Sequence, residues 1–148
     1  MEEIFIFTLL VILLALAFDI LVYLTAGSFL AVESFGIFAI IIYLIPALLN
    51  GVIIATGVME NIKFRFLKYI LPTLTLFAYF VFGKMVTYSS EWEKFVANNS
   101  YSSESFSIQI SKDLLSIDQI LFILILNFLV VIAVKKVMTY FKRSGNQW

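Results

Sequence analysis

The stretch FGIFAIIIYLIPALLNGVIIATGVM, residues 35–59, decides the fold. It runs for twenty-five residues without a charge, long enough for a helix to cross a hydrocarbon core about 30 Å thick. One side of that helix is not lipid-like. Gly36, Ala39, Tyr43, Pro46, Ala47, Asn50 and Gly57 recur at helical spacing, a stripe of small and polar residues on an otherwise Ile-, Leu-, Phe- and Val-rich cylinder. Small side chains let backbones approach closely, so this side is expected to meet other helices and the rest to meet acyl chains.

Working outward, Ile4 to Ala26 forms another apolar run, with Asp19 as its only charge. Glu2 and Glu3 precede it, where acids suit a helix N-terminus. A secretory signal peptide would carry a basic lead and a shorter apolar core, so the run reads as a retained first span. On the other side of the deciding stretch lies a basic elbow with Lys63, Arg65 and Lys68, then a third run from 67 to 86 with Pro72 in its first turns. The fourth run, Ile117 to Val137, has Asn127 as its one interior polar residue, and Ser116-Ile117-Asp118-Gln119 has capping-box spacing at its start.

Between the third and fourth runs lies a Ser-rich segment, 88–115. Ser90-Glu91-Trp92-Glu93, followed by Phe95 and Val96, predicts a short amphipathic helix ending at Asn98-Asn99. Phe106 to Ser111 alternates with period two and predicts an extended piece. A flap lying on the bundle is expected, with Trp92 and Phe95 at the headgroup level.

Composition agrees. Hydrophobic residues make up 62% of the 148 and charged residues 14%, against about 45–50% and about 25% in soluble proteins. A soluble chain of this size could not hide that much apolar surface. The expected fold is therefore all-α: one polytopic membrane domain over 1–148, a four-transmembrane-helix bundle with one extracytoplasmic flap. Its spans are about 4–26, 35–59, 67–86 and 117–137, followed by a tail at 138–148.

Lysine and arginine counts set the expected orientation. Lys63, Arg65 and Lys68 in the elbow lie on the same side as Lys135, Lys136, Lys142 and Arg143, against Lys84, Lys94 and Lys112 opposite. Both termini are thus expected in the cytoplasm of a cell-membrane protein, with the seven elbow and tail residues beside anionic lipid.

Function is less legible. The chain has no cysteine and no histidine, which removes disulfides, thiol chemistry, His-based acid–base steps and the soft ligands of zinc or haem. No metal, no cofactor and no catalytic residue is expected, nor is nucleic acid, since the net charge is zero. No Ser/His or Cys/His pairing is possible, and an intramembrane aspartyl protease needs two acids. What stands out is a set of intramembrane polar residues: Asp19, Tyr43, Asn50, Thr75, Tyr79 and Asn127. Counting helical rise, Asn50 and Thr75 share a level, and Asp19 falls level with Tyr43 and Tyr79, its expected hydrogen-bond partners, with Lys84 as a further one. On one reading these residues fix helix packing in a small accessory or immunity-type protein whose partner is another membrane protein or itself. On the other, Asp19 serves an oligomeric transporter or channel as a proton or cation relay.

The orientation can be tested by single cysteines. Ser103→Cys should react with an impermeant thiol reagent on intact cells and Ser144→Cys should not; the reverse pattern would invert the topology.

Overall fold

The computed structural model describes residues 2–32, 34–56, 67–102, 107–108 and 110–145. Helix α1 (Glu2–Phe29) ends in a short 3-10 turn. The second span is composite: α2 (Phe35–Ala39), a π-helical turn over Ile40–Leu44, and α3 (Ile45–Ala55). Then come α4 (Leu67–Val86), α5 (Ser90–Asn99), the strands β1 (Tyr101–Ser102) and β2 (Ser107–Ile108), and α6 (Ile117–Gly145). Four segments, Ile6–Phe29, Phe35–Ala55, Tyr69–Val86 and Ile117–Phe141, are long and apolar enough to cross a membrane. The fold is an all-α four-helix bundle. Its only sheet among the described residues is a two-residue antiparallel ladder pairing Tyr101 with Ile108.

Pro46 accounts for the composite second span. Proline lacks an N–H, and its ring crowds the carbonyl one turn back. The turn before it is widened, with the Ile45 N–H donating to the Ile40 carbonyl, so the helix absorbs the proline without breaking.

Helix α1 packs mainly on α4, and α3 mainly on α6, while α3 also touches α1 and α4. The expected faces are the buried ones. Tyr43, Pro46, Ala47 and Asn50 are buried along the second span, and Thr8, Ala15, Asp19 and Ala26 along α1. Gly36 is exposed, and Gly57 lies outside the described residues. Leu13, Leu14, Leu21 and Leu24 face outward, where a bilayer would receive them.

The interior is layered. A small apolar cluster of Ile12, Ala15 and Leu71 lies at one end. A large aromatic one with Tyr23, Phe38, Tyr79, Phe82, Trp92 and Phe95 lies at the other. Trp92 and Phe95 sit inside this second cluster, each 1% exposed, and not on the surface of the bundle. The reason is Phe38: its ring lies 5.5 Å from Trp92 and 5.1 Å from Phe95, so the apolar face of α5 closes the end of the bundle and turns away from lipid. The helix is capped one residue earlier than its capping-box spacing suggests, with Ser89 Oγ accepting from the Trp92 N–H at 3.2 Å.

Helix α5 in turn finishes the second span. Ser34 makes no side-chain cap there; instead the Phe35 N–H donates to Asn99 Oδ1 at 3.1 Å. One orphan donor of a helix start is thus satisfied from the far end of α5.

Gly51 lies where α3 approaches α6 closely. A Cβ added there would lie 3.1 Å from Val134 Cγ2 and 3.4 Å from Val130 Cγ1, whereas one at Gly36 meets nothing within 4 Å. Gly51→Leu should therefore cost about 1–3 kcal/mol through overpacking, and Gly36→Leu should be neutral or mildly stabilising. Thermal midpoints of the two variants in detergent check this; equal midpoints would remove the close α3–α6 contact.

Candidate functional site

One polar layer lies between the two apolar clusters, and each spanning helix contributes one residue to it. On α1, Asp19 comes one turn after Ala15 and one before Tyr23; on α4, Thr75 comes one turn after Leu71 and one before Tyr79. Asn50 on α3 and Asn127 on α6 complete the layer, and all four side chains are buried.

The hydrogen bonds diverge from Asn50. The Thr75 hydroxyl donates to Asp19 Oδ2. Asn50 Nδ2 donates to Thr75 Oγ1 at 3.0 Å and to Asn127 Oδ1 at 3.1 Å. Asn127 Nδ2 then donates to the Ile123 carbonyl one turn back on its own helix, at 3.0 Å. Asn50 is the hub, since both its amide hydrogens are engaged on different helices. Asp19 is the acceptor end, and its Oδ1 is buried with no hydrogen-bond partner.

Of the six intramembrane residues singled out from sequence, four converge here. Tyr43 and Tyr79 do not. The Tyr43 hydroxyl donates to Gln119 Oε1 at 2.9 Å, and the Tyr79 hydroxyl to the Leu114 carbonyl at 2.8 Å. Asp19 therefore pairs with Thr75 and not with either tyrosine, nor does Lys84 bond to it. Asp19 lies deeper than the sequence suggests because α1 continues to Phe29, three residues past its expected end. Asp19 lies about 15 Å from that end and Thr75 about 16 Å from Val86, which puts them level. Gln119 was visible in sequence only as part of a capping box. Ser116 Oγ does accept from its N–H at 3.4 Å, while its side chain is engaged by Tyr43.

The basic residues divide. Lys135 and Lys136 are exposed on α6. Lys68 belongs to the first turn of α4, and Lys142 and Arg143 to the last turns of α6, which continues through much of the expected tail. Lys63 and Arg65 lie outside the described residues.

An apolar groove of about 420 Å³ runs between α1 and α4, lined by Leu16, Ile20, Tyr23, Gly27, Phe77 and Val81 among others. Asp19 does not line it. No protein family matches the chain, no curated protein matches it in sequence, and no solved structure matches its fold.

Energetics separate the amides from the acid. Interhelical hydrogen bonds in membranes average about 0.6 kcal/mol and reach about 1.7. An aspartate at the centre of a span costs about 2.5–3.5 kcal/mol. The amide bonds can stand as packing contacts, but the single Thr75 bond does not offset an ionised Asp19.

In sodium-free buffer, Asp19→Asn keeps an acceptor for Thr75 at nearly constant size, so it should change the thermal midpoint little. Asp19→Leu strands the Thr75 hydroxyl in a dry layer and should cost about 1–3 kcal/mol. Equal destabilisation by both would mean the charge itself holds the bundle.

Proposed function

We propose that the protein acts as a non-catalytic integral membrane partner, an accessory or immunity-type protein of the cell membrane that works by binding another membrane protein. Both termini face the cytoplasm and the 88–115 flap faces outside. The observation that supports this reading is the polar layer itself. Four intramembrane side chains from four helices are turned onto one another, and none of them lines the groove between α1 and α4. Polar groups spent on holding helices leave the outer surface to do the recognising.

A second reading, an oligomeric transporter or channel protomer using Asp19, rests on one specific observation. Asp19 Oδ1 is a buried acceptor with no partner, and ionisable residues inside membranes often mark a pathway.

Mild solubilisation of native membranes followed by affinity purification separates the two. The partner reading expects a single copy of the chain with one other membrane protein in a fixed ratio. A homo-oligomer free of any second protein would overturn it in favour of the transport reading.

A further inference from the structure

We propose that Asp19, Thr75, Asn50 and Asn127 form a binding site for one small, dehydrated monovalent cation, sodium, held between the four spanning helices. The inference goes beyond the partner reading, because such an ion would hold the bundle together whether or not it crosses the membrane.

The donor set is the first ground. Hard cations take oxygen ligands, and this layer offers a carboxylate, a hydroxyl and two amide oxygens. Asn50 stands at the centre: its Nδ2 lies 3.0 Å from Thr75 Oγ1 and 3.1 Å from Asn127 Oδ1, and its Oδ1 is 3.5 Å from Thr75 Oγ1. A half-turn of that amide moves no backbone and exchanges Nδ2 for Oδ1. Oxygens from α3, α4 and α6 then face one another, an arrangement that a cation between them would satisfy. Thr75 already joins them to the Asp19 carboxylate on α1. Asp19 Oδ1, buried without a partner, is free to add a further ligand.

Charge settles the class of ion. The layer holds one carboxylate, and no group of three or more acidic, His or Cys residues stands together among the described residues. A monovalent ion brings the layer to neutrality, whereas a divalent one leaves a net positive charge buried in hydrocarbon. A chain without histidine or cysteine has no soft ligand to offer. Local backbone is the second ground. The π-helical turn at Ile40–Leu44 and the adjacent Pro46 lie in the same span, Pro46 one turn from Asn50, and π-turns within helices concentrate at functional sites.

Thermal unfolding of the purified full chain in detergent tests the site, with sodium chloride exchanged for choline chloride at constant ionic strength. A ligand that binds only the folded state raises its stability with concentration. The midpoint of the wild-type chain should therefore climb by several degrees with sodium and stay flat with choline. Asp19→Asn should respond to neither, and Thr75→Val should need more sodium for the same rise. If Asp19→Asn does not fold, saturable binding of radioactive sodium to the wild-type chain, one ion per chain, carries the test instead. Equal midpoints in the two salts with no saturable binding would overturn the site. So would a midpoint that rises only on acidification, which assigns the counter-charge to a proton.

Discussion

Hydrocarbon offers no hydrogen bonds, so a polar side chain that enters it must find another. In this bundle one residue from each spanning helix meets that constraint in a shared layer. The consequence is register. Asp19 and Thr75 are bracketed one turn away by apolar residues on the same faces. Sliding either helix by one turn would set a carboxyl or hydroxyl against Ala15, Leu71 or a tyrosine ring. Apolar packing alone tolerates many registers in lipid, because the tails are as apolar as the side chains. The polar layer selects one.

The other end of the bundle is fixed by different means. Tyr43, Tyr79 and Trp92 each bury an aromatic body in the core and carry a polar tip to the first turn of α6 or to the segment leading into it. Their acceptors are the Gln119 side chain and the carbonyls of Leu114 and Lys112, at 2.9, 2.8 and 2.7 Å. Three bonds thus stitch the start of α6 and the segment before it to the second span, α4 and α5. The aromatic cluster beneath, with Tyr23 stacked on Phe82 at 5.3 Å, gives this end a packed floor of buried rings. Gly83 belongs to the same seam: a Cβ there would come within 2.7 Å of Leu115 Cδ2, so a side chain at this point of α4 would push the Leu115 side chain, just ahead of α6, aside.

Much of this was legible in the sequence, because the signals are periodic and strong. The four spans follow from length and hydropathy, and the buried stripes from helical spacing. That Asn50 and Thr75 share a level follows from counting rise along two helices. What could not be read has a common cause. Hydrophobic patterning says that a face is buried but not what buries it. The apolar face of α5 fits a bilayer surface as well as it fits Phe38, and only the tertiary structure distinguishes them. The partner of Asp19 was missed through an error of less than one turn in the end of α1, enough to confuse a threonine with a tyrosine one turn along α4. The role of Gln119 was hidden because a capping box already accounted for it.

Chain order gives the polar layer a history as well as a geometry. Asp19, Asn50, Thr75 and Asn127 leave the ribosome in that sequence, and at about 5–20 residues per second the first precedes the last by about 5–20 s. Through that interval the early helices lie in the membrane with an acid, an amide and a hydroxyl whose hub still lacks its α6 acceptor. A nascent chain arrested before its last helix is therefore not a smaller version of the bundle. It is a membrane intermediate with an open polar seam, the form in which surveillance proteases or a stray helix would find it most easily, and it closes only when Asn127 arrives.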